Sequence, residues 1–252
     1  VFTGSTAVGK RVMAAAAADV KRVTLELGGN NANIVFADAD ISRAARSAGD
    51  AVFDNAGQDC CARSRILVQD SVFDDFVAEF APTVRDLRVG DPTREDTQMG
   101  PLVSAEHHAR VRRYLTTEPD IVGQCPKGNG FYLAPSAYLS VRPEDPIWTD
   151  EVFGPVVAVM PFRDEADAIA KANATVYGLS GSIWTGDVGR ALRVSRAVEA
   201  GNLSVNSHAS VRYWSPFGGF KQSGLGREGG RGSFEAYTEL KTVMMPLGHE
   251  TM

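Results

Sequence analysis

The chain of 252 residues carries 26 Lys plus Arg against 31 Asp plus Glu, a net charge of −5, with a pI near 5.4. That balance excludes broad phosphate-backbone binding, which needs a basic face, and a polybasic membrane anchor, so neither nucleic acid nor membrane is an expected partner. Hydrophobic residues at 44% and charged residues at 23% fit an ordinary globular chain of one large domain or two small ones; no apolar run approaches the ~20 residues of a bilayer span, and a cytoplasmic protein is the expectation.

Val1-Phe2-Thr3 reads as the end of a strand, with no initiator Met and no targeting pattern. Gly4-Ser5-Thr6 then opens a helix that runs through Val8, Val12 and the alanines to Val20, with a Ser or Thr cap. Val23 to Leu27 predicts a strand stopped by Gly28-Gly29. Asn33 to Phe36 is a second strand, Ala39 to Val52 an amphipathic helix, and Arg65 to Val68 a third strand. A helix follows from about Val72 to Val84, with Pro82 placed to kink it near its end. Further on come a strand (Pro155 to Pro161), a helix (Ala166 to Ala174), a strand (Ser180 to Trp184), a helix (Val188 to Val198) and a strand (Leu203 to Val205). The alternation predicts an α/β fold with a largely parallel sheet. Thr116 to Asn129 reads as an irregular excursion, Ser215 to Gly232 as glycine-dense loop, and Tyr237 to Met245 as an edge strand.

Three cysteines, Cys60, Cys61 and Cys125, make no disulfide framework, and the scattered histidines complete no zinc set, so no metal is expected. The thiols are either nucleophilic or redox groups, or apolar filler. Gly4 to Lys10 meets the phosphate-loop spacing G-x-x-x-x-G-K, but Arg11 stands where a hydroxyl should hold magnesium. What survives is an anion site at a helix start, beside the plainer reading of a capped helix. Gly224-Leu225-Gly226-Arg227-Glu228-Gly229 matches G-x-G-x-x-G but follows a loop, not a strand, and so fails as a dinucleotide fingerprint. Phe53 to Ala62 presents Cys60 at a glycine turn before a strand, where a thiol can reach a cleft and backbone N–H groups can receive an oxyanion. Glu26 sits at a strand end among leucines; burial there raises a carboxyl pKa and suits a general base near neutral pH, the alternative being a solvated cap.

Taken together, these clusters resemble the aldehyde dehydrogenase superfamily. The resemblance rests on Leu25-Glu26-Leu27-Gly28-Gly29-Asn30, on Phe53 through Ser64 with Gly57-Gln58-Asp59-Cys60 at its centre, and on Glu151-Val152-Phe153-Gly154-Pro155-Val156. It continues through Gly201 to Asn206, Pro216 to Gly224 and Tyr237 to Lys241, in the family's order along nearly the whole chain, and the Phe2 to Thr6 opening fits as well. It implies that Cys60 attacks an aldehyde to give a thiohemiacetal, that hydride passes to NAD or NADP, and that Glu26 activates water to hydrolyse the thioester; Cys61 occupies a position the family does not use for attack. Gly4, Ser5, Leu27, Glu151 and Phe153 would contact the cofactor, and Asn206 and Phe217 would lie near the substrate. Glu228 and Glu239 match acidic tail positions that support the site or an interface, or form a solvated pair. The loop Asn206 to Trp214 resembles that of members acting on amino- or betaine-type aldehydes, where an aromatic face could hold a cation, an idea that Arg212 opposes. A homo-oligomer joined through Tyr237 to Met245 is also implied.

By the same resemblance, residues 1–28 are a remnant of a dinucleotide-binding domain, 29–226 the catalytic domain and 227–252 a tail. The chain corresponds to the family's C-terminal half. The Asn whose amide helps hold the oxyanion and the Lys that contacts the adenosine ribose lie outside it, which leaves the Cys60 N–H of the oxyanion hole. Two functions stand open: an NAD(P)-dependent aldehyde dehydrogenase, or a catalytically inactive fragment that binds partner subunits at most. A phosphate-loop nucleotidase dependent on Lys10 is the third.

Overall fold

The computed structural model describes residues 1–245. In chain order it runs β1 (Phe2–Thr3), α1 (Thr6–Ala17), β2 (Leu25–Glu26), β3 (Ala32–Val35), α2 (Ile41–Phe53), β4 (Arg65–Gln69) and α3 (Phe73–Arg85). It continues through α4 (Ala105–Arg112), β5 (Ile121–Val122), β6 (Ser136–Tyr138), α5 (Pro146–Thr149), β7 (Val156–Phe162), α6 (Glu165–Asn173), β8 (Ser180–Trp184), α7 (Val188–Ala197), β9 (Asn202–Val205) and β10 (Gly224–Leu225).

Seven strands form the main sheet in the order β5-β6-β7-β4-β3-β8-β9, parallel throughout except for the β5–β6 pair. Period-two alternation sorts each strand onto two faces. Val35, Ile66, Val68, Val157, Val159 and Trp184 pack under α2 and α3 with Ala44, Ala48, Val52, Phe76 and Phe80. Ile34, Leu67, Ala158, Met160 and Ile183 turn the other way, toward Trp148, Ala168, Ala172 and Val194 on α5, α6 and α7. Covering both faces explains why β7 reads as a near-continuous apolar run and why β4 carries Ile66, Leu67 and Val68 in succession. The helices start where side chains satisfy first-turn N–H groups: Asp40 accepts from Arg43 N at 3.0 Å, and Asp164 accepts from Asp167 N at 2.9 Å. A second, small sheet, β1-β2-β10, holds α1 beside the main one.

The α/β alternation and parallel sheet follow the sequence reading, with several corrections. The first helix ends at Ala17, because Val20 takes φ +54°. The stretch read as an irregular excursion contains β5, paired antiparallel to β6. Tyr237 to Met245 is not a strand: a 3-10 turn spans Arg231–Tyr237, and no regular structure follows it among the described residues. None of the edge strands β1, β10, β5 and β9 runs alongside to take up its N–H and C=O groups, and Leu240, Val243 and Met244 stay exposed. The tail is tied down by Arg22, which donates to Thr238 O at 2.6 Å and to Glu239 Oε1; Glu239 therefore has a surface ion-pair partner. Among the described residues no helix is long and apolar enough to cross a membrane.

One positional fact sets up the site. The segments Gly28–Asn31, Gln58–Ser64, Glu151–Pro155 and Tyr177–Leu179 immediately precede β3, β4, β7 and β8, so all four gather at the amino ends of parallel strands. Open α/β sheets more often bind ligands at the carboxyl ends.

Candidate active site

A cavity of about 650 Å³ lies between the small sheet and these strand entries. Gly4, Ser5, Glu26, Leu27, Cys60, Glu151 and Phe153 all line it, although they span 150 positions of sequence. Gln58, Arg110 and Tyr177 line it too and were not foreseen. Arg110 comes from α4, an element with only His107 and Val111 buried and so without an apolar stripe to betray it. The one available signal was Ser104, which accepts from His107 N at 3.1 Å as an N-cap.

Two glycines bring the acid and the thiol together. A Cβ on Gly28 would run into Glu151 Oε2, and one on Gly29 into the Cys60 carbonyl. The bare Gly28-Gly29 backbone therefore lets Glu151 and the cysteine turn close on it from opposite sides. Glu151 Oε1 accepts from Gly29 N–H at 3.0 Å. Burial pushes the Glu151 carboxyl up, and the Gly29 hydrogen bond and Arg110 act against it.

The cysteine turn is built from unusual backbone. Asn55, Ala56 and Gly57 take φ of +50°, +57° and +68° in succession. Left-handed non-glycine residues cost about 1–3 kcal/mol each and persist where surrounding contacts enforce them. Here Gly57 lies against the Gly154 carbonyl, Asp59 Oδ1 accepts from Cys61 N at 3.0 Å, and Asn31 Nδ2 donates to the carbonyls of Cys60 (2.8 Å) and Ala62 (2.9 Å). The two thiols are hydrogen-bonded to each other, so the pair gives up one proton readily and resists losing a second. That bond, with burial adding, pushes Cys60 up; it pulls Cys61 down, as do Arg63 and the Ser180 hydroxyl, against burial and Asp59. The Asp59 carboxylate and both sulfurs lie within 4.8 Å of one another.

Glu26 is 4% exposed, and neither carboxyl oxygen has a hydrogen-bond partner among the described residues. A Cβ on Gly218 would stand 2.8 Å from Oε1. Burial, then the charge of Glu228, push its pKa to about 7, with Arg227 pulling the other way. A carboxyl poised there can take a proton from water near neutral pH.

A second cavity of about 490 Å³ opens on the other side of the turn, lined by Cys61, Arg63 and Ser207 to Arg212, with Asp50, Asp54 and Asp59 also lining it. Asp59 belongs to both cavities. Asn206 and Phe217 line neither. The Asn206 amide caps the backbone of Thr185, accepting from N at 3.0 Å and donating to O at 3.0 Å, and Phe217 exchanges backbone bonds of 2.7 Å with Glu228. Tyr213 and Trp214 remain exposed outside the cavity, whereas Arg212 lines it. The nucleotidase reading loses its residues: Lys10 Nζ donates to Gln222 Oε1 at 2.9 Å and does not line the cavity. Asp38, at the far end of β3, is taken by Thr185 and Arg190.

The larger cavity fits the end of a dinucleotide. The first N–H groups of α1 have no intrahelical acceptor and sit beside Gly4 and the Ser5 cap, a place for phosphate oxygens. Glu151 offers carboxylate oxygens to ribose hydroxyls, and Phe153, at φ +55°, offers an apolar edge for a ring.

The sequence model of the Aldehyde dehydrogenase family matches residues 1–243. An aldehyde dehydrogenase of Emericella nidulans is 45% identical over 98% of the chain and 51% of its own length. A betaine aldehyde dehydrogenase of Bacillus subtilis is 40% identical over 96% of the chain and 51% of its own length. Among solved structures, betaine aldehyde dehydrogenase from Staphylococcus aureus in complex with NAD+ superposes with a TM-score of 0.89 at 37% identity, covering 94% of this chain and 49% of that one. The chain spans about half the length of the curated relatives it matches.

Proposed function

The chain belongs to the aldehyde dehydrogenase family, and from that premise we propose that it oxidises an aldehyde to a carboxylic acid with NAD or NADP as hydride acceptor. The observation that carries this reading is the shared cavity of Cys60, Glu26 and Glu151. The pair, having lost one proton, shares the other between its two sulfurs; with that proton on Cys61, Cys60 Sγ attacks the aldehyde carbon to form a thiohemiacetal, whose oxygen the Cys60 backbone N–H steadies. The bound cofactor supplies a hydride acceptor, which Gly4, Ser5, Leu27, Glu151 and Phe153 would hold. Loss of hydride leaves a thioester on Cys60. Glu26, near neutrality in its pKa, takes a proton from water as that water attacks the thioester carbon. The acid departs and the thiolate is restored.

The Cys61-side cavity admits the aldehyde in this reading. Asp50, Asp54 and Asp59 line it and favour amino- or betaine-type aldehydes, against the exposed Arg212. The division at residues 28 and 226, an assembly of like subunits supported by the exposed Leu240, Val243 and Met244, and a reducing, cytoplasmic setting suited to three free cysteines belong to the same proposal.

The test is NADH formation by the purified protein over a panel of cationic, neutral and anionic aldehydes. Cys60→Ser is expected to abolish it and Cys61→Ser largely to spare it. Equal loss in both, in folded protein, overturns the assignment of the nucleophile; no turnover by the parent with any aldehyde favours the inactive fragment.

A further inference from the structure

Arg63 takes no part in the chemistry above, yet it is 1% exposed and has no carboxylate within ion-pair distance among the described residues. Its donors are spread over three segments. Nη1 donates to the Cys61 carbonyl. Nε donates to Ser182 Oγ at 2.8 Å and Nη2 to Gly181 O at 3.3 Å, both on β8. Nη2 also reaches the loop that lines the second cavity, at His208 O (3.4 Å) and Ser210 Oγ (3.0 Å). A planar fork with five donors can make this set of bonds, whereas an ammonium has one nitrogen to share among them.

We propose that Arg63 is a positioning residue: its buried guanidinium fixes the Cys60–Cys61 turn to β8 and to the 207–211 loop, and supplies the fixed positive charge against which a thiolate forms in this turn. The other charged groups facing the pair bear on this. On the larger cavity Cys60 shares its walls with Glu26, Glu151 and Arg110, and Arg110 acts on the Glu151 carboxyl. Asp59 from the turn itself and Asp50 and Asp54 from α2 and its end are negative, and Arg212 is exposed. His208 is neutral, because burial and Arg63 push its pKa to about 4. Hydrogen bonding agrees with that state. Ser182 Oγ accepts from Arg63, and its own proton can go to His208 Nδ1 at 3.0 Å, closer than the competing Ser204 Oγ at 3.2 Å. His208 Nε2 can then donate to Ser47 Oγ at 3.3 Å. The buried cation beneath the thiols is therefore Arg63.

This deepens the reading of Cys60 as the attacking thiol, but its test needs neither cofactor nor aldehyde, so it fails separately from the NADH assay. The measurement is the rate of iodoacetamide alkylation against pH, with labelled sites read by peptide mass spectrometry. Arg63→Met removes charge and donors; Arg63→Gln removes the charge but keeps two N–H donors, and serves if the Met variant does not fold. In both, the pH of half-maximal rate is expected to rise by about one unit, which is about tenfold slower labelling at pH 7. Arg63→Lys restores the charge without the fork and is expected to fall between the Met variant and the parent. A parental profile in folded Gln or Met protein overturns the proposal. So does a Lys variant slowed as far as Met, since the restored charge would then have contributed nothing.

Discussion

The amide of Asn31 holds the cysteine turn to the sheet: Nδ2 bonds the carbonyls of Cys60 and Ala62 at 2.8 and 2.9 Å, while Oδ1 accepts from Ser180 N at 2.9 Å. Asn31 is 2% exposed, so its replacement strands polar groups away from water. Asn31→Ala is expected to cost about 3 kcal/mol of stability, the toll of buried backbone groups left unpaired. Urea unfolding at neutral pH measures it; a loss under about 1 kcal/mol would show that water replaces the amide.

Glu26 makes stability depend on pH. Its folded pKa, about 7 against an ordinary 4.5, lies above the unfolded value, so folding favours the protonated form. Its contribution is fully present below pH 4.5 and is lost as pH rises through 7, a swing of about 3 kcal/mol. Glu26→Gln removes that dependence and is expected to unfold at higher denaturant than the parent at pH 8, with little difference at pH 4.5. Identical midpoints at pH 8 would place the parent carboxylate in a solvated setting.

The same substitution separates the two chemical steps. Glu26→Gln is expected to retain a pre-steady-state burst of NADH while slowing steady-state turnover by about 10²-fold or more, in the range of a lost general base. A vanished burst would move Glu26 to a step before hydride transfer.

Gly28→Ala inserts a methyl where Glu151 Oε2 sits, with Tyr177 Cε1 only 3.1 Å away. Glu151 must swing aside and lose its bond to Gly29 N–H. A charged hydrogen bond to a ribose hydroxyl is worth about 1.5 kcal/mol or more, so the KM for NAD is expected to rise about tenfold with Cys60 alkylation unchanged. An unaltered KM would remove Glu151 from the cofactor site.

Asn33, on β3, is fully buried with both amide atoms unpartnered among the described residues. Asn33→Val replaces a stranded dipole with a strand-favouring apolar group and is expected to stabilise the protein by about 1–2 kcal/mol, read as a raised Tm.

The gathering of Cys60, Glu26 and Glu151 at one cavity was legible in the sequence because each sits in a short motif with recognisable residue types. β7 was legible to within one residue at each end, since a buried strand needs only an apolar run bounded by breakers. Asn31 and Arg63 were not: a polar residue declares no role until the fold shows which carbonyls it faces. The Asn206 amide matches the Thr185 backbone across the sheet, a pairing no local pattern encodes. Tyr237 to Met245 had the apolar content of an edge strand, but strand formation is decided by a neighbour, and the described chain provides none.

Because Cys60 and Glu151 lie where the chain enters the parallel strands, with Glu26 on β2 beside them, the opposite rim of the main sheet is free of them. The exits at residues 36–40, 163–164 and 185–187 lead straight into α2, α6 and α7. Extra peptide spliced into those exits, such as a fluorophore tag, can lengthen the molecule without entering either cavity, whereas one residue added between Gly57 and Cys60 would rotate the sulfur out of reach.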